Sequence, residues 1–282
     1  MMTICLILGC IDNRNPQFNK TYWNTSTQTT QQINYVYREI LRNNPVITET
    51  TPTDIPKTKT ITIASWNLQR YGPAKGHNIT LINYYISKIK DYDIAILLEV
   101  TDENGDAIRT LADHFRNRSI FVSNRVGTPG YKEQYIVFYK NVILKRTSLM
   151  NSTDIARYPL VMEFTSGNWT FNVIAVHLTP EKVSKELAAI EHETFNTSSD
   201  IVLIGDLNAG CDYYTKRKNL LNWTWTIPDT EDTTSGNTTC AYDRIVLNTL
   251  ASPNFINYGV MRDVTTETDH YLIYGVFNSS IQ

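Results

Sequence analysis

From residue 61 onward, short apolar runs alternate with polar segments, and their spacing assigns an element to each. Ile61-Thr62-Ile63-Ala64-Ser65-Trp66 has the two-residue period of a strand and delivers Asn67 at its end. Residues 78–90 are amphipathic with a helical period. Ile94-Ala95-Ile96-Leu97-Leu98 is a continuous apolar run, as a strand buried on both faces requires, and Glu99 follows it at once. Strands are predicted at 135–139, 160–164 and 171–176, the last ending in His177, and a helix at 179–192. Residues 201–205 form another buried strand and deliver Asp206-Leu207-Asn208. Asp243-Arg244 opens a β-branched run, and Asp269-His270 precedes a closing strand at 271–277.

A polar or charged residue thus recurs at the edge of a buried strand. Strand ends gather on one rim of a sheet, so Asn67, Glu99, His177, Asp206, Asn208, Asp243, Asp269 and His270 are expected to converge. Strands interleaved with helices predict an α/β fold of two packed mixed β-sheets flanked by helices, an α/β sandwich.

The first sixty residues differ in character. Residues 1–10 are apolar but too short to span a bilayer, and they are expected to be an export signal. Ile7-Leu8-Gly9-Cys10 also matches a lipobox, in which Cys10 would carry a lipid. Residues 11–60 are polar, with Ile33, Val36, Tyr37, Ile40 and Leu41 at helical spacing ahead of a Thr/Pro-rich linker at 48–59. The expected organisation is a leader (1–10), a polar helix and linker (11–60), and a main domain (61–282).

With 282 residues the chain can bury a sizeable core. A net charge of −2 argues against a protein that holds nucleic acid by bulk positive potential. It leaves room for an enzyme that meets a few phosphates with placed arginines and a bound metal. Of the four cysteines, Cys5 and Cys10 lie in the leader, which leaves Cys211 and Cys240 to pair in an oxidising compartment. No cysteine or histidine spacing suggests zinc. Asn-x-Ser/Thr sequons begin at Asn19, Asn24, Asn78, Asn117, Asn151, Asn168, Asn196, Asn222, Asn237 and Asn278. Composition alone would supply about five, so the excess points to an exported glycoprotein.

Glu99, Asp206 and Asp269 with the amides of Asn67 and Asn208 form an all-oxygen set, which prefers a hard cation such as Mg²⁺ or Mn²⁺. Such an ion polarises a phosphoryl oxygen. His177 and His270 supply proton transfer near neutral pH, and each needs a carboxylate to fix its tautomer. The candidates are Glu133 for His177 and Asp243 for His270. His77, His114 and His192 are taken as structural. These parts suit hydrolysis of a phosphate ester.

Seven motifs carry a resemblance: ASWNLQRYG at 64–72, DIAILLEV at 93–100, GYKEQYIVFYK at 130–140, IAVHLTP at 174–180, IGDLNAGCDY at 204–213, TTCAYDRIV at 238–246 and TDHY at 268–271. In their order and spacing, residues 60–282 resemble the endonuclease/exonuclease/phosphatase superfamily. YKEQY, CAYDRIV and the cysteine pair narrow this to its deoxyribonuclease I branch. The resemblance implies a secreted or surface-tethered enzyme that hydrolyses DNA phosphodiesters with low sequence specificity, leaving 5′-phosphate and 3′-hydroxyl ends.

By the same resemblance, Glu99 and Asn67 would hold the metal, and Asp206, Asn208 and Asp269 would complete the phosphate and metal site. The pairs His177–Glu133 and His270–Asp243 would exchange protons. Arg157, Tyr131 and Tyr213 would meet the DNA backbone and minor groove, and Cys211–Cys240 would be a structural disulfide. Asp232, Thr234 and Thr238 would form a structural calcium loop. The chain departs from the family at Gln69 and Thr101, where arginines reach the minor groove, with Arg70 the candidate replacement. It also departs at Gly236 in the calcium loop, and it lacks a second calcium loop between Ser148 and Arg157. The enzyme is expected to act as a monomer. Two other functions fit the fold: a sphingomyelinase-like phosphodiesterase on lipid headgroups, and a non-catalytic binding module. CAYDRIV and YKEQY weigh against the first, and the intact His/Asp/Glu/Asn set against the second.

Overall fold

A computed structural model describes residues 60–236, 239–263 and 267–280. The leader, the polar helix, the linker and Thr238 lie outside these residues.

Two strands begin the first sheet. β1 (Thr60–Tyr71) and β2 (Ile94–Val100) pair in parallel, connected through a one-turn helix α1 (Pro73–Gly76) and the longer α2 (Ile79–Ile89). Asn78 caps α2, its side-chain oxygen accepting from the Leu81 N–H, which ends the turn after α1 and starts the helix where the amphipathic pattern begins. Helix α3 (Asp106–His114) follows, then β3 (Ser119–Val122), β4 (Val126–Thr128) and β5 (Tyr131–Tyr139). The last strands, β12 (Phe255–Met261) and β13 (Leu272–Asn278), return to this sheet, so its order is β12-β13-β1-β2-β5-β3, with β4 paired to β5.

The second sheet holds β6 (Ile143–Leu149), β7 (Leu160–Ser166), β8 (Trp169–His177), β9 (Asp200–Asp206), β10 (Thr224–Trp225) and β11 (Asp243–Leu247) in the order β10-β11-β9-β8-β7-β6. Helix α4 (Val183–Thr194) makes the crossover between parallel β8 and β9. The two packed mixed sheets with helices outside are the expected architecture.

Burial explains the apolar runs. Ile63, Ile94, Ile96 and Leu98 face Val173, Ala175, Val202 and Ile204 between the sheets. The opposite face of β1 and β2, through Ala64, Trp66, Ala95 and Leu97, packs on Ile82, Tyr85 and Ile89 of α2 and on Leu111 of α3. On the other flank, Ile174, Val176 and Leu203 pack on Val183, Leu187 and Ile190 of α4. Central strands buried on both sides leave no polar alternation to read.

Several elements differ from expectation. The segment 179–192 opens with a 3₁₀ turn at Pro180–Lys182, and the α-helix starts only at Val183. Helix α3 and strands β3, β4, β6, β10 and β12 are additional. β6, β10 and β12 lie at sheet edges, where solvent on one side dilutes the apolar signal: Lys145 and Arg146 of β6 are exposed. A register shift between Leu144 and Arg146 further breaks the two-residue period.

Candidate active site

Strand register brings most of the polar strand-end residues to one rim. Parallel β8 and β9 set His177 beside Asp206, and antiparallel β11 sets Asp243 beside Asp206 from the other side. Across the sandwich, Asn67 and Glu99 lie where β1 and β2 leave regular pairing, with register shifts between Asn67 and Tyr71 and between Leu97 and Val100. The backbone is left-handed at Gln69 (φ 47°), Arg70 (φ 61°) and Glu99 (φ 56°). Non-glycine residues seldom adopt this region, and here it turns the strand ends inward over the rim.

The two imidazoles are held alike. His177 Nδ1 lies 2.8 Å from Glu133 Oε1, and His270 Nδ1 lies 2.8 Å from Asp243 Oδ2. Each carboxylate can only accept, so each Nδ1 carries the proton and Nε2 is the working atom. Both Nε2 atoms face one oxygen: Asp206 Oδ2 is 3.6 Å from His177 and 3.5 Å from His270. Glu99 Oε1 approaches His177 Nε2 at 3.7 Å, and Asp269 Oδ1 approaches His270 Nε2 at 3.9 Å. Asn67 closes the group, its amide nitrogen donating to Glu99 Oε1 at 2.9 Å and to Asp206 Oδ2 at 3.0 Å.

The electrostatics follow from burial and neighbouring charge. Burial opposes the His177 imidazolium, but the charge and hydrogen bond of Glu133 outweigh it and the pKa rises. For His270 the same contest, with Asp243 and Asp206 as partners, pushes the pKa up to about 10. Burial pushes Asp243 up while His270 pulls it back. Asp206 is held low: burial raises it, but the two histidines and hydrogen bonds from Asn208 and Asn67 prevail.

The residues fit a divalent cation. Asp206, Asp243 and His270 offer ligand atoms within 4.8 Å of one another. Within that trio, the Asp243–His270 hydrogen bond uses the facing atoms of both, so Asp243 suits orientation of the imidazole better than ligation. Glu99 and Asp206 instead converge on one amide, and oxygen ligands from two carboxylates are the donor set a hard cation takes. Asp269 is more exposed than the rest, at the outer edge of the group.

The other expected residues are distributed as follows. Asn208 is buried, its amide donating to Leu178 O at 2.9 Å. Arg157 donates from Nε to His177 O and from Nη2 to Leu178 O, both at 2.7 Å. Beside it, Tyr131, Gly127, Thr128, Thr179 and Lys182 line a cavity of about 250 Å³. The Tyr131 hydroxyl reaches Glu99 Oε2 at 3.4 Å. The Arg70 side chain is exposed, while its N–H donates to Glu99 Oε2 at 3.1 Å. Tyr213 is exposed and stands 5.5 Å, ring to ring, from Tyr242. Cys211 and Cys240 form a disulfide. Asp232 Oδ1 accepts from the N–H groups of Thr234 at 3.2 Å and Cys240 at 3.3 Å, which brings the first two calcium-loop candidates together.

Two positioning residues escaped the sequence reading. Glu186 is fully buried on α4, and its carboxylate accepts from Thr179 N–H at 2.7 Å and Ala156 N–H at 3.1 Å. It thereby joins the loop bearing Arg157 to the loop that follows His177. A glutamate on the apolar face shared by Val183, Leu187 and Ile190 was its only signal. Lys75 Nζ donates to Leu68 O and Gln69 O, both at 2.7 Å, and to Glu267 O at 2.5 Å, tying the end of β1 to the loop before His270.

The profile of the Endonuclease/Exonuclease/phosphatase family matches residues 64–270. The chain belongs to the Endonuclease/Exonuclease/phosphatase family. Among curated relatives, Deoxyribonuclease-1 of Equus caballus is 30% identical over 247 residues, covering 76% of this chain and 85% of that protein. Deoxyribonuclease-1 of Sus scrofa is 31% identical over 214 residues, covering 66% and 75%. Among solved structures, humanized D. rerio TDP2 superposes with a TM-score of 0.60 at 16% identity, over 78% of this chain and 100% of that one. That likeness shows the shared fold. Membership in the family, with its deoxyribonuclease relatives, makes the chain a nuclease or phosphodiesterase.

Proposed function

We propose that the protein is an exported, metal-dependent endonuclease that hydrolyses DNA phosphodiesters with little sequence preference, leaving 5′-phosphate and 3′-hydroxyl ends. The observation that carries this reading is the facing of two carboxylate-held imidazoles onto Asp206 Oδ2, in a chain about 30% identical to deoxyribonucleases.

Glu99, Asn67, Asp206 and Asp269 would hold Mg²⁺ or Mn²⁺. When bound, the ion supplies charge neutralisation at a non-bridging phosphoryl oxygen. The chain's own groups do the rest. One imidazole Nε2 takes a proton from water as its oxygen attacks phosphorus. The P–O3′ bond breaks, its electron pair leaves on O3′, and the other Nε2 delivers a proton there. Glu133 and Asp243 keep both rings in the tautomer this exchange requires. Asn208, anchored on Leu178, steadies the loop after Asp206. Arg157, Tyr131, Tyr213 and Arg70 would receive the sugar–phosphate backbone on either side. With contacts mainly to phosphate and sugar, register is set and sequence is not read. Asp232 and Thr234, with Thr238, would take a structural Ca²⁺. The apolar leader, the excess of sequons and the disulfide support export, as a secreted or surface-anchored monomer.

The test is nicking of supercoiled plasmid with Mg²⁺, with and without chelator, by the wild type and by His177→Ala and His270→Ala. Nicking abolished by chelator and by either substitution is expected. Cleavage of sphingomyelin but not plasmid would transfer the reading to lipid headgroups, and inertness towards both would leave a binding module.

A further inference from the structure

The strand registers give the molecule two poles. The reaction rim holds the ends of β1, β2, β8 and β9 and the starts of β5 and β11. The far pole holds their other ends: Phe171 beside Asp200, Thr60 beside Asn278, and Tyr139 beside Ser119. Seven sequon asparagines fall among the described residues, and the poles divide them. Asn78 and Asn151 lie towards the reaction rim, after β1 and β6. Asn117, Asn168, Asn196, Asn222 and Asn278 lie at the far pole.

Four of those five are suited to modification. Asn117 sits in the turn before β3, Asn168 in the β7–β8 turn, Asn196 in the turn after α4 and Asn222 in the turn before β10. All four are exposed, as are their hydroxyl partners Ser119, Thr170, Ser198 and Thr224. Asn278 differs: it is a half-buried strand residue whose side-chain oxygen accepts from Ser280 N–H at 2.8 Å.

A separate feature coincides with two of these sites. Among the described residues, the most exposed large apolar side chains are Phe195 (80%) and Leu221 (66%). Each immediately precedes a sequon asparagine, Asn196 and Asn222. Single bare apolar side chains are common on protein surfaces, but here the two most exposed both adjoin a sequon asparagine. The innermost sugars of a glycan on the next residue have an apolar face within reach of such a side chain.

We propose that Asn117, Asn168, Asn196 and Asn222 carry N-linked glycans, and that those on Asn196 and Asn222 lie over Phe195 and Leu221. The glycans cover the far pole and close it to protein partners. The proposal rests on the export reading, so the full chain is sent through the secretory pathway of a eukaryotic host behind an added cleavable signal peptide. Peptide mapping after enzymatic deglycosylation in heavy-oxygen water then marks each occupied asparagine as labelled aspartate. Label at all four positions, with Asn278 bare, is expected. Secreted protein unlabelled at Asn196 and Asn222 overturns the proposal. Plasmid nicking is read on the same material, so loss of the nuclease reading is seen separately from loss of the glycan sites. In Asn196→Gln and Asn222→Gln, binding of a hydrophobic dye should rise several-fold with nicking unchanged. If dye binding rises equally in Asn117→Gln, the covering of Phe195 and Leu221 is refuted.

Discussion

Asn67 and Asp206 stand 139 positions apart in sequence and are joined by a 3.0 Å hydrogen bond that crosses from one sheet to the other. The same amide holds Glu99, so one side chain sets the spacing of the two carboxylates best placed for a cation. Asn67→Ala should leave the buried Asp206 short of a donor, costing about 1–3 kcal/mol of stability in metal-free protein. It should also weaken metal affinity. Urea unfolding in chelator and a Mg²⁺ titration of nicking check both. Unchanged affinity would remove Asn67 from the ion's surroundings.

Glu186 acts at one remove from the chemistry, through the loops of Arg157 and Thr179. Glu186→Gln keeps the size but replaces one accepting oxygen with a donor that faces an N–H. A hydrogen bond to a charged acceptor contributes about 1.5–3 kcal/mol, so the melting temperature should fall. With the Arg157 loop released, KM for DNA should rise more than kcat falls. Equal loss in both parameters would mean that Glu186 supports the fold alone.

The His270–Asp243 pair makes stability depend on pH. A group whose folded pKa is raised stabilises the fold below its unfolded value and loses that contribution as pH climbs to the folded value. For His270 this window runs from 6.5 to about 10. In chelator, the melting temperature should decline across it, and Asp243→Asn should flatten the decline. A variant whose slope matches the wild type would contradict the assignment of the raised pKa to this pair.

The Cys211–Cys240 bridge closes a loop over a sequence separation of 29. In the chain-entropy account a loop of that size stabilises by about 3–4 kcal/mol. The double substitution Cys211→Ser, Cys240→Ser should lower unfolding free energy by roughly that amount, measured in denaturant. Because Cys240 lies close to Asp243 in sequence, nicking should fall as well.

The site was legible because its residues sit at the ends of strands buried on both faces. There an apolar run stops abruptly at a polar residue, as at Leu98-Glu99 and Gly205-Asp206. The histidine partners were legible too, since each imidazole needed a carboxylate. What escaped was partly exposed or depended on packing. Strands β6 and β12 are sheet edges, and α3 buries only Ala107, Ile108 and Leu111 in a mostly polar segment. The bonds of Lys75 run to backbone carbonyls, one of them 192 positions away, and carbonyls carry no signature in sequence.

The antiparallel pairing of β1 with β13 has a bearing on when the site can form. A growing polypeptide that has yet to emit the segment from His270 through β13 lacks one imidazole and one of the two strands that flank β1. The rim that carries both imidazoles therefore assembles only when the domain is almost complete.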